Sequence, residues 1–222
     1  MYQLPILIER AFTKNGVIQL QKRNNDYEII FNGTFLMATY NGESEKLLVS
    51  SAIKAVKLPR KILIGGLGVG FSLGEALKHK GVEEITVVEI ESKIIEWNKK
   101  YLSRYSNNGL GDPRVKVVNK DLLEFISQTK EKYDVICLDI DNGPSWTVLE
   151  QNTGLYSHEG LSNLTNILDD QGSVSFWSAS KSEEFENRLT RFFKKIKVYP
   201  ISHQSGKPDY VYVASIKPFI PN

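Results

Sequence analysis

Residues 61–80 constrain the fold of this chain more than any other stretch. The apolar run KILI leads into the glycine cluster GGLGVG, and the chain continues as the helix-forming run FSLGEALKHK. Glycine adopts backbone conformations that other residues avoid, so a cluster here allows a tight turn and exposes backbone amides at the start of the helix. The stretch therefore predicts a β-strand, a ligand-facing loop and an α-helix in succession.

The alternation of strand-like and helix-like segments continues along the chain. Further strands are predicted at EITVVE, VKVV, YDVICLD and SVSFWSA, and each is followed by a helical segment. Such alternation implies a mostly parallel sheet with helices on both faces, and the last segment, KVYPISHQSGKPDYVYVAS, adds an antiparallel hairpin. The prediction is an α/β protein with a Rossmann-like, doubly wound sheet that binds ligands beyond the carboxyl ends of its strands.

The first 42 residues have a different pattern. GVIQLQKR, DYEIIFN and GTFLMATYN are β-rich runs separated by Asn-Asn and Asn-Gly turn signals. We expect residues 1–42 to form a small N-terminal sheet and residues 43–222 to form the Rossmann-like domain. Ser44 is the predicted N-cap of a helix that Pro59 ends. An exposed N-terminal sheet also offers a surface through which two copies could associate as a homodimer.

Composition excludes several classes of protein. The 222 residues carry a net charge of +2, which is too balanced to favour nucleic-acid binding. No apolar run approaches the roughly 18 residues that span a membrane. None of the three histidines is spaced like a metal ligand, so no metal is expected. The single cysteine, Cys137, cannot form an intramolecular disulfide, and this fits a cytoplasmic protein.

Two acids follow successive strands of the alternating region. Glu89 ends the strand EITVVE. A carboxylate at the end of the strand that follows a glycine loop can accept both hydroxyls of a ribose. Asp121 follows VKVVNK and can accept a hydrogen bond from an adenine amino group, although aspartate there is also a good N-cap for the next helix. The two uses of Asp121 are compatible, because a carboxylate has several lone pairs.

Asp139 and Asp141 end the strand YDVICLD. Residues two apart in an extended chain point to the same side, so both carboxylates are expected to face one pocket. Repulsion between the two carboxylates raises the pKa of one of them, which suits a proton acceptor. The pair would also attract a cationic amine. The alternative is a turn in which Asp141 only bonds the local backbone. Trp146, in the loop that follows, is expected to cover a bound donor, to stack on a substrate or simply to pack.

These features in this order resemble the class I S-adenosylmethionine-dependent methyltransferase fold, and more narrowly the spermidine synthase (polyamine aminopropyltransferase) family. The resemblance lies in KILIGGLGVG, TVVEIESKIIEW, NKDLLEFI, the DID strand end and LYSHEGLSNLTNIL. It implies an enzyme that moves an alkyl group, without a metal, from S-adenosylmethionine or decarboxylated S-adenosylmethionine to a small amine.

The resemblance also implies roles for individual residues. Glu89 would hold the ribose and Asp121 the adenine. Asp139 would accept the proton of the incoming amine, and Asp141 would help to hold that amine. The remaining implied positions are Gly65, Gly66, Gly68 and Gly70 beside the donor, and Glu45 and Tyr156 beside the acceptor.

One departure from the family leaves the transferred group open. Family members with aminopropyl activity carry in the glycine loop an aspartate that pairs with the donor's amine, and Gly68 stands at that position. Loss of one charge-assisted hydrogen bond lowers affinity about tenfold to hundredfold. The overall resemblance favours aminopropyl transfer, whereas Gly68 favours methyl transfer, with a substrate other than a polyamine as an alternative acceptor.

Two further classes of function remain as alternatives. A nicotinamide-dependent oxidoreductase would fit Glu89, but Phe71 occupies the place of the third glycine in the G-x-G-x-x-G pattern. A non-catalytic family member that only binds a nucleoside would fit the changes in the glycine loop and in the acceptor segment.

Overall fold

The computed structural model describes residues 4–140, 142–147, 149–203 and 206–217, which form two β-sheets. The smaller sheet is an antiparallel meander in chain order. Its strands are β1 (Ile6–Thr13), β2 (Gly16–Arg23), β3 (Asp26–Phe31) and β4 (Thr34–Ala38). Asn32 and Gly33 connect β3 to β4, both with positive φ. Asn-Gly favours a tight hairpin of this kind, so the predicted N-terminal sheet is confirmed.

The larger sheet has seven strands in the order β10-β11-β9-β8-β5-β6-β7. Its strands are β5 (Lys61–Gly65), β6 (Glu84–Glu89), β7 (Val115–Asn119), β8 (Tyr133–Leu138), β9 (Leu168–Ser178), β10 (Lys195–Ile201) and β11 (Asp209–Ser215). The five strands from β9 to β7 run parallel, and β11 is antiparallel to both of its neighbours. The predicted α/β fold, with a mostly parallel sheet and an antiparallel C-terminal hairpin, is confirmed.

Six α-helices accompany the sheets within the described residues. They are α1 (Glu43–Lys54), α2 (Phe71–Leu77), α3 (Ser92–Lys100), α4 (Leu122–Gln128), α5 (His158–Ile167) and α6 (Glu183–Leu189). The predicted N-cap Ser44 is wrong, because α1 already begins at Glu43 and Gly42 occupies the cap position. The Ser44 hydroxyl instead donates a hydrogen bond to Glu45 Oε2, at 2.8 Å.

The two sheets share one hydrophobic core. Ile18 and Ile29 from the small sheet are fully buried in the same cluster as Ile62 and Ile64 of β5. Helix α1 follows the small sheet directly and packs against β8, β9 and β11 of the larger one. The division at residue 42 stays a prediction, because a common core joins the two predicted units.

Cys137 lies inside the core on β8 and is fully buried. Burial raises the pKa of its thiol to about 12, so the reactive thiolate is strongly disfavoured. Across the part of the chain that the structure describes, no helix combines the length and apolar character needed to cross a membrane. The same residues contain no group of three or more His, Cys, Asp and Glu side chains that could hold a metal ion.

The strand order fixes where a ligand can bind. β5 is followed along the chain by its neighbour β6, whereas its other neighbour, β8, comes much later. The direction of winding therefore reverses between β5 and β8. In doubly wound sheets the crevice beyond the carboxyl ends of such a strand pair is the usual ligand site. Here that crevice receives the glycine loop after β5 and Asp139 after β8.

Candidate active site

A cleft opens at the carboxyl ends of the parallel strands, between the two sheets. Its empty volume is about 1070 Å³ when the open mouth is included. One wall is formed by strand ends and the first turn of α1, and it carries five carboxylates. They are those of Glu45, Glu89, Glu91, Asp121 and Asp139. The opposite wall comes from β2, β3 and β4 of the small sheet and is apolar. Its members are Ile18, Ile29, Phe31, Leu36 and Met37.

The glycine loop approaches the end of β8 so closely that a side chain would not fit. Gly66 has φ +91°, and a β carbon built on it would lie 2.1 Å from the carbonyl oxygen of Asp139. Its amide donates to the carbonyl of Val88 at 2.9 Å, so the loop is also tied to β6. The positive φ and the close approach to Asp139 both select glycine at position 66.

The four predicted glycines of the loop divide into two groups. Gly66 and Gly68 line the cleft, whereas Gly65 and Gly70 are not among the lining residues. Gly70 has φ +97° and forms the N-cap position of α2. A β carbon on Gly65 would meet Leu122 at 2.6 Å, so that position serves close packing between β5 and α4.

Glu89 holds the glycine loop in place. Its Oε2 accepts the amide of Leu67 at 2.9 Å, and its Oε1 accepts the amide of Glu91 at 2.8 Å. Burial raises the pKa of Glu89 above its ordinary value, and the amides of Glu91 and Leu67 act against that rise. The carboxylate lines the cleft and keeps lone pairs for further donors, as a ribose-binding acid requires.

Glu91 is a cleft carboxylate that sequence reasoning missed. It is buried, and its Oε1 accepts hydrogen bonds from Asn15 Nδ2 at 2.6 Å and from Thr13 Oγ1 at 3.1 Å. Thr13 is the last residue of β1, and Asn15 lies in the turn that leads to β2. Glu91 therefore anchors the small sheet to the end of β6. No local sequence signal indicates a contact across such a distance along the chain.

Asp121 serves as the N-cap of α4, as its position predicted. Its Oδ1 accepts the amide of Glu124 at 3.1 Å, and Gln151 Nε2 lies 3.4 Å from its Oδ2. The residue also lines the cleft. The cap and the proposed adenine contact therefore remain compatible.

Asp139 and Glu45 form the acidic end of the cleft. Asp139 leaves β8 directly, and its own amide donates to the carbonyl of Gly65 at 2.9 Å. Burial raises the pKa of its carboxyl well above the ordinary value, and the negative charges of Glu45, Asp209 and Glu89 raise it further. Burial also raises the pKa of Glu45, against the hydrogen bond from Ser44. Asp141, the second acid predicted at this strand end, lies outside the described residues.

The predicted aromatic residues lie elsewhere. Tyr156 is buried, and its ring packs edge-on against Phe185 at a centroid distance of 5.4 Å, so it is a core residue and is not among those lining the cleft. Trp146 is exposed in the loop after β8 and is also absent from the lining. Trp177 of β9 lines the cleft, and its buried Nε1 has no hydrogen-bond partner among the described residues.

Comparison with curated proteins identifies polyamine aminopropyltransferases among the relatives of this chain. The chain is 34% identical over 175 residues to the polyamine aminopropyltransferase of Saccharolobus solfataricus, which covers 77% of this chain and 54% of the relative. It is 29% identical over 215 residues to the polyamine aminopropyltransferase of Serratia proteamaculans, which covers 95% of this chain and 66% of the relative. The chain thus spans about half to two thirds of the length of these relatives.

Solved structures share the fold. A spermidine synthase in complex with the transition state analogue AdoDATO superimposes with a TM-score of 0.80 at 22% identity, covering 96% of this chain and 74% of that one. Spermidine synthase from Thermotoga maritima gives a TM-score of 0.77 at 21% identity, covering 96% and 73%. Residues 43–202 also match the spermine/spermidine synthase domain, and with this match the chain belongs to the spermine/spermidine synthase family.

Proposed function

We propose that this chain is a transferase that moves an alkyl group from an S-adenosyl donor to a small amine. The observation that carries the proposal is the distribution of carboxylates along one wall of the cleft. Glu89 and Asp121, after β6 and β7, would hold the ribose and the adenine of the donor. Asp139 and Glu45, at the other end, would receive the amine.

The chemistry needs little from the protein besides orientation. The nitrogen of a neutral amine attacks the carbon beside the sulfonium, a C–N bond forms, and the C–S bond breaks with its electron pair going to sulfur. The products are a thioether nucleoside and an ammonium. Asp139 would accept the proton that the ammonium loses, and the raised pKa of its carboxyl makes it a better base than an ordinary aspartate. Positioning the two reactants supplies most of the remaining acceleration.

Two donors fit this scheme. The polyamine aminopropyltransferases among the relatives favour decarboxylated S-adenosylmethionine and aminopropyl transfer. Gly68, which leaves the glycine loop without a side-chain carboxylate, favours S-adenosylmethionine and methyl transfer. Either route is proposed to take place in the cytoplasm, with support from the reduced, buried Cys137.

The nucleoside product distinguishes the two donors. We would incubate the protein with each donor and a series of aliphatic diamines, and then separate the nucleosides by chromatography. Methylthioadenosine marks aminopropyl transfer, and S-adenosylhomocysteine marks methyl transfer. Binding of a donor without either product would contradict the proposed transfer and favour the non-catalytic alternative.

We also propose that two copies associate through the small sheet. β1 is its edge strand and exposes apolar side chains. Ile6 is 68% exposed and Phe12 is 83% exposed, which is unusual for large apolar residues on a strand. A free strand edge with such side chains favours pairing with another chain.

A further inference from the structure

The edge of the larger sheet that carries the cleft extends to the C-terminal hairpin. β10 is antiparallel to β11, and β11 is antiparallel to β9, so β10 ends and β11 begins at the edge where the parallel strands end. His203 lies two residues after the last residue of β10, and Asp209 is the first residue of β11. The topology therefore places both residues at the edge of the sheet where the cleft opens.

His203 and Asp209 form a close and largely covered pair. His203 Nε2 lies 2.8 Å from Asp209 Oδ2, and the two side chains are 21% and 14% exposed. On the other side of the ring, Asn41 Nδ2 lies 3.4 Å from His203 Nδ1. Asn41 directly precedes Gly42, which occupies the N-cap position of α1. The pair is thereby tied to the start of the helix whose first turn carries Glu45.

The direction of these hydrogen bonds determines the charge of the pair. An amide nitrogen can only donate, so His203 Nδ1 accepts from Asn41, and Nε2 carries the hydrogen that Asp209 accepts. The imidazole ring is neutral in this tautomer, while the carboxylate keeps its negative charge. His203 therefore holds Asp209 in place without cancelling its charge.

The charge of Asp209 acts on both carboxyl groups at the acidic end of the cleft. It raises the pKa of Asp139, in addition to burial, which is the largest cause, and to the charges of Glu45 and Glu89. It also adds to the effect of burial on the pKa of Glu45, on which Lys46 acts in the opposite direction. Asp209 is not among the described residues that line the cleft, so its charge acts from behind the two acids.

We infer that His203 and Asp209 are positioning residues for the proposed transfer: His203 fixes the Asp209 carboxylate where its negative charge makes Asp139 a stronger base. The inference rests on the proposed function, because Asp139 is the proton acceptor in that proposal. A negative charge nearby favours the protonated form of a carboxyl group, so the proton taken from the amine is held more firmly. Neither His203 nor Asp209 lines the cleft, so neither is assigned a contact with the reacting atoms.

The titration of the Asp139 carboxyl group tests the inference without turnover. The protein is labelled with aspartate that carries ¹³C at the side-chain carboxyl carbon, and the NMR signal of Asp139 is assigned by its loss in Asp139→Asn. In the wild-type protein the midpoint is expected well above the ordinary aspartate pKa of about 3.9.

Asp209→Asn keeps the shape of the side chain and removes its charge. The Asp139 midpoint is expected to fall by at least about half a pH unit in this variant, which is the order of effect of one nearby charge in partly solvated protein. Asp170→Asn, at an exposed position on β9, is the matched control and is expected to leave the midpoint unchanged. An unchanged midpoint in Asp209→Asn overturns the inference and leaves the proposed function standing.

Two variants at position 203 distinguish holding from charge compensation. His203→Ala removes the donor and frees Asp209 to turn towards solvent, so the Asp139 midpoint is expected to fall, by less than in Asp209→Asn. His203→Gln supplies an amide N–H near the position of Nε2 and is expected to restore a midpoint close to that of the wild type. A midpoint that rises in His203→Ala would show that a positive charge on His203 offsets Asp209, and this would overturn the inference.

The pH profile of transfer connects the titration to function. With saturating donor and amine, kcat of Asp209→Asn and of His203→Ala is expected to reach half of its maximum at a lower pH than in the wild type, whereas His203→Gln is expected to follow the wild type. A profile that does not move with the Asp139 midpoint overturns the inference. If the wild-type protein forms no nucleoside product from either donor, the proposed function fails, and the role inferred for the pair fails with it, whatever the titration shows.

Discussion

A β carbon on Gly66 would lie 2.1 Å from the carbonyl oxygen of Asp139, so the glycine loop and the end of β8 fit together only without a side chain at position 66. Gly66→Ala is expected to lower the free energy of unfolding by at least about 2 kcal/mol, because the positive φ and the backbone clash both act against alanine. Urea denaturation measures the change. Gly111→Ala, with no atom within 4 Å of the added carbon, is the matched control and is expected to stay within about 0.5 kcal/mol.

Asp139→Asn is expected to slow the proposed transfer by about 100-fold or more, because it removes the proposed proton acceptor. The same variant is expected to be more stable than the wild type at pH 7. A raised pKa in the folded state means that Asp139 contributes stability only at low pH and loses it as the pH rises through the folded-state pKa.

Thermal melts of the wild type and of Asp139→Asn across pH therefore check whether the variant is the more stable protein at pH 7. The two proteins should converge as the pH falls below the ordinary aspartate pKa of about 3.9. Asp170→Asn, at an exposed position on β9, should change neither activity nor stability. Full activity of Asp139→Asn would show that another group accepts the proton.

Asn15→Ala is expected to destabilise the protein by about 1–3 kcal/mol. The variant leaves the buried carboxylate of Glu91 with one donor fewer, and bonds to charged groups are worth more than neutral ones. The anchored turn also shapes the cleft, so adenosine affinity is expected to fall together with stability. Asn187→Ala, on the exposed face of α6, is the control for replacement of an asparagine. Unchanged stability of Asn15→Ala would argue against an anchoring role for Glu91.

Methylthioadenosine is expected to change the tryptophan fluorescence of the wild-type protein. Trp177 lines the cleft, whereas Trp97 is fully buried in the core and Trp146 is exposed on a loop. Trp177→Phe should abolish the change, and Trp97→Phe should retain it. Loss of the change in Trp146→Phe instead would indicate that the loop after β8 covers the ligand, as its sequence allowed.

Phe12→Ser is expected to weaken self-association by removing the most exposed aromatic side chain of β1. Sedimentation velocity at several concentrations measures the effect. Trp146→Ser removes an exposed aromatic residue from the loop after β8 and serves as the control. A wild-type protein that sediments as a monomer at every concentration would contradict association through the small sheet.

The sequence was most informative where short-range rules apply. The glycine loop, the acids at the ends of β6, β7 and β8 and the alternation of segments follow short-range rules of backbone geometry and strand order, so the fold and the positions of Glu89, Asp121 and Asp139 could be predicted. Ser44 failed as a cap because α1 begins at Glu43, two residues before the start at Glu45 that an N-cap at Ser44 would require. Shifts of one or two residues are below what pattern reasoning resolves.

The apolar wall of the cleft could not be predicted. Met37 meets Gly68, and Asn15 meets Glu91, only after the small sheet has docked on the larger one, and no local pattern encodes that docking. For Tyr156, the resemblance implied a position beside the acceptor. In the structure its ring is buried against Phe185 of α6.

The two sheets share a core but are under different evolutionary constraints. Strand ends of the larger sheet carry the acids, so most changes there would disable the proposed chemistry. Strands β2 to β4 supply hydrocarbon surface, and one apolar residue can replace another there at modest cost in stability. Divergence of ligand preference among homologous enzymes can therefore proceed through the small sheet, while the reacting groups stay as they are.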